Sequence, residues 1–587
     1  MAASVCNRVR HDRHTTCVPR RKAMRRLALL AALAASAAPA AEPPATPPRA
    51  AASVDVTLFN LDVVVTDPSG ARVRGLKAED FEVRHDGRVV PVTNFSEIQA
   101  GEAAPAREPE PGAAAPSTAT RPPRRVVLFF DRLYVPDAVR RAELFDALSR
   151  LLEVTIGEGD EAMVVTWNRS IRTVLPFTGD VELLAATLQG IERQSGRIAP
   201  ERADRDLLRS SDEWFTSLAA DPRIGTDFGG FMPSAELAAQ QAFFEMKAKT
   251  SALKGLAATL GGMDGRKVLV LVSHRFSRYA GLEFLLKDRT GVEALGDPRT
   301  RQFDSKKLLE EVARAANANG VTLHGVFPAE LDATMPSADG SRLSAPGISD
   351  QPLGGKEQIV LDNELEALSF VAEKTGGVAA VGAGNVDRFV DRVASDLESW
   401  YSIGYPAPPG AGKTVPVSVK VKGRKLDVRV RSALVEKTTA EQMADRVLAH
   451  LFQPDGRARI PISATASPVP SLDGKFRIRV EVQVPIASLV LLPTAKGVQG
   501  AFSVLVASVA AAGDFSEVTR RSQPFEIPAA ELETAKAGHY TYEVDVEASG
   551  PDARICVGVW DEKGSDAGFA VVTSAAPSAP TATPPAG

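Results

Sequence analysis

Hydrophobic residues follow two different periods along this chain. In residues 53–98 they recur at every second position, as at Leu61, Val63 and Val65. An Asp-Gly turn at residues 86–87 separates two further runs of this kind, which is typical of a β-hairpin. The pattern predicts an N-terminal β module over residues 53–98, too short to bury a core by itself.

The period changes after residue 123. Val126–Phe130 is a continuous apolar run that ends at Asp131, which is typical of a strand buried on both faces. Leu144, Leu148 and Leu151 follow at helical spacing. Because runs and helices of this kind keep alternating, residues 124–405 are predicted to form a parallel sheet covered by helices on both sides.

Strands return beyond this α/β unit. Residues 406–435 are predicted to pack with the N-terminal module, because both segments are too short to bury a core and they flank the same unit. Further along, Phe476–Val484 and Phe502–Val509 again alternate. This pattern predicts a C-terminal β-sandwich of immunoglobulin-like type over residues 436–573.

The ends of the chain have a different character. Residues 1–40 combine a basic stretch, the short apolar run that begins at Leu27, and small residues, which together are typical of a secretory signal peptide. We therefore expect a secreted or periplasmic protein, with no transmembrane segment after signal removal. Three Pro/Ala-rich stretches are predicted to be linkers or a disordered tail: residues 41–52, 99–123 and 574–587.

Composition narrows the function classes. Of 587 residues, 44% are hydrophobic and 24% are charged, which excludes wholesale disorder. The formal net charge of −4 argues against a nucleic-acid partner. Cys556 is the only cysteine beyond the predicted signal peptide, so metal centres built from several cysteines are excluded. A lone cysteine in an apolar strand indicates a small core residue.

The chain resembles the bacterial "VWFA-related" proteins, abundant in acidobacteria, in which a β segment precedes a von Willebrand factor type A (VWA) domain. The resemblance covers residues 53–432 and depends on the following segments: Asp62–Gly70, Val73–Leu76, Glu79–Glu82, Pro176–Thr178 with Asp180, Gly265–Leu269 with Ser273, Ala372–Gly377 and Trp400–Tyr405. It implies a Rossmann-like VWA fold that acts as a binding module for protein ligands.

The same resemblance implies a degenerate metal site. Many VWA domains bind Mg²⁺ through D-x-S-x-S after the first strand, completed by a Thr and an Asp from later loops. Here Asp131 is present, but Leu133 and Val135 stand at the two Ser positions, and Ser273 stands where an Asp is expected. Mg²⁺ needs near-octahedral oxygen ligation, so we expect no resident metal or other cofactor. Thr166, Thr178 and Ser273 could add oxygens if their loops converge.

The sequence therefore predicts a non-enzymatic, secreted VWA-domain protein that binds an unidentified protein partner without a bridging metal. One alternative is an enzyme, such as a hydrolase, or an enzyme-maturation factor, with a site near Asp131 and His274. Against it, Ser273 and His274 are adjacent on a strand and point to opposite faces. Another alternative is a carbohydrate-binding or structural surface protein that acts through the C-terminal sandwich. Trp400, Tyr401 and Tyr405 are interpreted as an interdomain core contact, with an exposed aromatic surface as the alternative.

Overall fold

The computed structural model describes much of the chain between residues 57 and 573. The predicted signal peptide 1–40, the linker 41–52, the tail 574–587 and nearly all of the linker 99–123 lie outside the described residues. The described ranges are 57–99, 122–131, 138–195, 232–273, 276–286, 296–327, 355–381, 386–407, 413–453, 458–469, 476–509, 516–548 and 553–573.

The first strands belong to the N-terminal β module and the next elements to the α/β unit. The module begins with β1 (Thr57–Thr66), β2 (Phe81–His85), β3 (Arg88–Val90) and β4 (Asn94–Gln99). The strands of the α/β unit are β5 (Arg124–Asp131), β6 (Glu161–Trp167), β7 (Ile171–Thr178), β8 (Arg266–Val272), β9 (Val321–Phe327) and β10 (Ala379–Val381). Its helices are α1 (Ala138–Thr155), α2 (Val181–Ser195), α3 (Met232–Gly261), α4 (Leu282–Leu285), α5 (Pro298–Arg301), α6 (Lys306–Ala318), α7 (Gly355–Thr375) and α8 (Val386–Glu398).

The α/β unit contains a six-stranded sheet in the order β10-β9-β8-β5-β6-β7. All neighbours are parallel except β6 and β7. Alternate residues of β5 belong to two separate cores, one on each face of the sheet. Val127 and Phe129 pack against α3, α6 and α7. Val126 and Leu128 pack against α1, α2 and α8. The predicted parallel sheet covered on both faces is confirmed, with an antiparallel edge strand in addition, and its order is that of doubly wound folds.

Later strands complete the β module. They are β11 (Ser399–Ala407), β12 (Thr414–Val421), β13 (Asp427–Arg429) and β14 (Ala433–Val435). One sheet has the order β13-β1-β11-β4 and the other β14-β12-β2-β3. Side chains from both sheets share one core, which includes Leu61, Val83, Ile403 and Val419.

Strand β11 differs from the sequence-based division of the chain. Residues 124–405 were assigned to the α/β unit, yet β11 pairs with β1 and β4 of the β module. The physical reason is its inward-facing residues, because Tyr401 and Tyr405 fill the core of that module. The hydroxyl of Tyr401 also donates to the carbonyl of Val73 and accepts from the N–H of Leu76. These aromatic residues are buried core residues.

The C-terminal region contains a helix and two sheets. The helix α9 (Thr439–His450) begins with a capping box between Thr438 and Glu441. The remaining elements are β15 (Ser463–Val469), β16 (Phe476–Pro485), β17 (Leu492–Pro493), β18 (Gly497–Val509), β19 (Thr519–Pro528), α10 (Leu532–Lys536), β20 (His539–Ala548), β21 (Arg554–Asp561) and β22 (Ala567–Thr573).

These sheets form a two-layer sandwich. The β15-β16-β20 sheet and the sheet built on β18 and β21 share an apolar core, to which Val480 and Val557 contribute from opposite layers. On the outer face of the second sheet, Val447 of α9 packs against Cys556. Burial raises the pKa of the Cys556 thiol to about 12, so this cysteine is the small core residue that the sequence indicated. Among the described residues, no helix is both long enough and apolar enough to cross a membrane.

Candidate functional site

Two parallel strands end side by side at the carboxyl edge of the α/β sheet. β5 ends at Asp131, and Ser273 directly follows β8. The register pairs Phe130 with Val272, so the next residue of each strand emerges at the same level. The hydroxyl of Ser273 donates a 3.0 Å hydrogen bond to Oδ2 of Asp131. Of the oxygens considered from the sequence, that of Ser273 therefore does converge on Asp131.

A lysine of helix α3 completes this group. The ammonium of Lys249 donates a 3.1 Å hydrogen bond to Oγ of Ser273 and also contacts Oδ2 of Asp131. The exposed fractions of Asp131, Ser273 and Lys249 are 2%, 0% and 3%. We call these three residues the Asp131–Lys249–Ser273 cluster.

Opposite charges meet within the cluster. The carboxylate of Asp131 carries one negative charge, the ammonium of Lys249 carries one positive charge, and the hydroxyl of Ser273 donates to the first and accepts from the second. A buried ion pair gives up its hydration, and removing one partner leaves the other charge buried without compensation. Each ion therefore makes the burial of the other possible.

Sequence reasoning did not identify Lys249. A signal was present, because Met246, Leu253, Leu256 and Leu260 of α3 lie in one core at spacings of three, four and seven residues. Lys249 falls in the same stripe, at a position where an apolar residue is expected. A charged residue at a core position of an amphipathic helix indicates a buried partner, and here that partner is Asp131, 118 residues earlier in the chain.

The two threonines considered from the sequence do not join the cluster. Thr178 pairs with Ala162 at the start of β6, so it lies at the opposite end of the sheet from Asp131. Thr166 is paired with Phe130. Since successive side chains of a strand point to opposite faces, Thr166 lies on the face away from Asp131. Leu133, Val135 and His274 lie outside the described residues.

The cluster does not fit a resident divalent cation. Its oxygens are those of the Asp131 carboxylate and of the Ser273 hydroxyl, and the ammonium of Lys249 already engages Oδ2 of the first and Oγ of the second. Mg²⁺ requires about six oxygen ligands at about 2.1 Å, and a fixed ammonium so close would repel it. Within the described part of the chain, no group of three or more His, Cys, Asp or Glu side chains is arranged to hold a metal ion.

An apolar surface lies on α3, on the N-terminal side of Lys249. Leu237 and Phe244 are exposed by 64% and 57%. The ammonium of Lys247 lies 4.9 Å from the ring centre of Phe243 and 5.8 Å from that of Phe244. A depression beside them is lined by Glu236, Leu237, Gln240, Gln302 and Phe303. We call Leu237, Gln240 and Phe244 the α3 surface.

No protein-family model and no curated protein matches the chain. Solved structures with some similarity include BatB from Bacteroides thetaiotaomicron, at 11% identity and a TM-score of 0.19, covering 46% of this chain and 98% of that one. The vWF domain of the type V pili tip protein Mfa5 from Porphyromonas gingivalis has 10% identity and a TM-score of 0.24, covering 48% and 96%. Three N-terminal domains of Mfa5 reach 8% identity and a TM-score of 0.22, covering 73% and 75%. With values this low, the fold assignment depends on the strand order of this chain itself.

Proposed function

We propose that this chain is a secreted VWFA-related protein that binds a protein partner through its VWA domain, without catalysis and without a bridging metal ion. The sequence motifs named above support the family, and the strand order β10-β9-β8-β5-β6-β7 with helices on both faces agrees with a Rossmann-like VWA domain. The basic, apolar and small-residue pattern of residues 1–40 supports export.

The observation that carries the metal-free part of the proposal is the position of Lys249. Its ammonium contacts the carboxylate of Asp131 and the hydroxyl of Ser273, the two oxygen groups that would otherwise be available to a divalent cation. The lysine is part of the chain, so its charge cannot be removed by a chelator. A partner is therefore recognised through contacts other than a carboxylate bound to a metal ion.

Burial supports a non-enzymatic role for the same cluster. The side chain of Ser273 has no exposed surface, and its hydroxyl proton is directed at Asp131. A nucleophilic serine needs a neighbouring base that accepts its proton and a path for the substrate. Lys249 donates to Ser273 rather than accepting its proton, and the group that accepts the proton, Asp131, is only 2% exposed. The burial of both side chains supports the non-enzymatic proposal.

The α3 surface is the proposed contact region for the partner. Exposed aromatic and aliphatic side chains flanked by polar groups are typical of protein interfaces, and Leu237 and Phe244 are both more than half exposed. Gln240 lies between them on α3 and lines the same depression. Both apolar residues are on the helix that also supplies Lys249.

Affinity capture with the purified full chain tests this proposal. The wild-type chain and a Leu237→Lys/Phe244→Lys variant are incubated with periplasmic and secreted proteins of the source cells, with EDTA and separately with Mg²⁺. We expect the wild type to retain a specific protein equally in both buffers and the double variant to lose it, because two charges replace the apolar contact.

Val154→Lys is the matched control, since Val154 is also apolar and 68% exposed but lies on α1, which covers the other face of the sheet. This variant is expected to retain the same protein. Retention that requires Mg²⁺ would contradict the metal-free part of the proposal. Equal retention by all three chains, or by none, would contradict the assignment of the α3 surface.

A further inference from the structure

A second buried polar group lies where the α/β unit meets the β module. Three guanidinium groups meet there from separate segments: Arg266 is the first residue of β8, Arg429 is the last residue of β13, and Arg72 follows β1. Arg72 and Arg429 lie against Asp396 of α8, and Arg266 and Arg429 lie near His324 of β9. We call these five residues the arginine cluster.

The carboxylate of Asp396 is fully used by two of these arginines. Arg429 donates two hydrogen bonds of 2.6 Å, one to each oxygen, and Nη1 of Arg72 lies 3.8 Å from Oδ1. Burial raises the pKa of Asp396, but the attraction and hydrogen bonds of Arg429 outweigh this effect, so its pKa is lowered. The carboxylate of Asp396 therefore stays charged, and both of its oxygens accept hydrogen bonds from Arg429.

Positive charge is in excess in this interior region. Arg266 is 5% exposed, and its guanidinium lies 4.3 Å from the ring centre of Trp400. Burial lowers the pKa of Arg266, and the attraction of Asp62 and Asp396 only partly offsets this effect. Asp62 acts on Arg431 as well. Burial likewise lowers the pKa of Arg72 to about 10. Arginines are protonated at neutral pH, so Arg72, Arg266 and Arg429 together with Arg431 outnumber the carboxylates of Asp396 and Asp62.

Several buried nitrogen atoms of this cluster have no hydrogen-bond partner, and all of them are donors. They are Nη1 and Nη2 of Arg72, Nε and Nη1 of Arg266, Nε of Arg429 and Nε2 of His324. The tautomer of His324 can be assigned, because its Nδ1 accepts a hydrogen bond of 3.3 Å from the N–H of Val378. Neutral imidazole then carries its proton on Nε2. The cluster thus offers several buried donors, together with an excess of positive charge.

We propose that the arginine cluster binds one small inorganic anion, either a halide or a compact oxyanion. Unpaired buried donors cost free energy, and buried charge without a partner costs more. A water molecule would satisfy some donors but would leave the charge uncompensated. An anion does both, and because Arg266 belongs to the α/β unit whereas Arg72 and Arg429 belong to the β module, it would also hold these two parts together.

Thermal unfolding of the full chain at constant ionic strength tests the proposal. Chloride is substituted stepwise for gluconate, a much larger organic anion, and sulfate and phosphate are tested in separate series. We expect a saturating rise in the melting temperature, about 2 °C when the anion exceeds its dissociation constant tenfold. The series with the lowest half-saturation concentration distinguishes a halide site from an oxyanion site.

Two variants separate this site from general salt effects. Arg72→Met removes two of the unpaired donors and one charge, so it is expected to lose the saturable response. Arg479→Met removes an exposed arginine paired with Asp545 on the sandwich and is expected to keep it. The same small, non-saturating response in the wild type and in both variants would overturn the proposal, because it would leave only water in the cluster.

Bromide soaked into a crystal of the wild-type chain locates the anion directly and does not depend on the folding of Arg72→Met. We expect an anomalous difference peak within hydrogen-bond distance of Arg72 and Arg266, which chloride competes away if the site is specific. If no saturable rise in melting temperature is found in any anion, and bromide gives no peak at the cluster, the proposal is wrong.

Discussion

The protein contains two buried polar clusters that differ in charge balance. In the Asp131–Lys249–Ser273 cluster one ammonium meets one carboxylate, and a hydroxyl bonds to both. In the arginine cluster three guanidiniums meet one carboxylate, and several N–H donors have no partner. We infer from this difference that the first cluster needs no ligand to neutralise its ion pair, whereas the second accommodates an additional negative group.

The location of the two clusters reverses the usual expectation for this class of fold. Ligands of doubly wound folds bind at the carboxyl ends of the strands, and Asp131 stands at such an end. Here the chain fills that position with its own lysine. The cluster with an excess of positive charge lies instead beside Arg266, at the amino end of β8, where the β module covers the sheet.

The largest effect is expected from breaking the balance of the first cluster. Lys249→Met leaves the carboxylate of Asp131 buried without its counter-ion, so the free energy of unfolding should fall by about 3–5 kcal/mol. Urea unfolding followed by circular dichroism measures this change. The double variant Lys249→Met/Asp131→Leu removes both charges and is expected to recover most of the loss. If Lys249→Met unfolds within about 1 kcal/mol of the wild type, the ion pair does not contribute as described.

A smaller effect is expected from pH acting on His324. Burial is the main reason why its pKa is lowered to about 4, and Arg429 and Arg266 lower it further, whereas Asp396 raises it. A histidine in the unfolded chain has a pKa of about 6.5, so the unfolded state binds a proton that the folded state excludes. Its neutral form therefore contributes fully above pH ~6.5, and about 3 kcal/mol is lost as the pH falls toward ~4.

His324→Asn is the variant that isolates this titration. Asparagine can still accept from the N–H of Val378 but does not titrate in this range. The free energy of unfolding should therefore fall less steeply between pH 6.5 and 4, by the contribution of about one bound proton to the slope. His539→Asn, at an exposed histidine, serves as the control and should leave the slope unchanged. Urea unfolding at a series of pH values provides the measurement. An identical pH slope in the wild type and His324→Asn would show that His324 titrates normally.

Local patterns in the sequence were sufficient for the elements but not for the clusters. The apolar run Val126–Phe130 identified β5, because a strand covered on both faces is apolar at every position rather than at alternate ones. Helix α6 begins at Lys306, two residues after Asp304, and the N–H of Lys306 donates to the carboxylate of Asp304. In these cases the residues that decide the structure are neighbours along the chain.

The clusters depend on residues that are far apart in sequence. Asp131 and Ser273 could be placed together because parallel strands end at one edge. Lys249 could be recognised only as a charge in an apolar stripe, with no indication of which carboxylate it meets. The members of the arginine cluster come from five segments between residues 72 and 429, and no periodicity relates them. The pairing of β11 with β1 likewise joins residues more than 300 positions apart.

The most direct test of the account is the response of the wild-type melting temperature to metal ions. Lys249 already supplies the cation at Asp131, and a ligand stabilises a fold only when it binds the folded state. We therefore predict the same melting temperature, within experimental error, in EDTA and in millimolar Mg²⁺ or Ca²⁺. A clear rise in melting temperature with Mg²⁺ that Asp131→Asn abolishes would contradict the account, because it would show that a divalent cation displaces the lysine from this site.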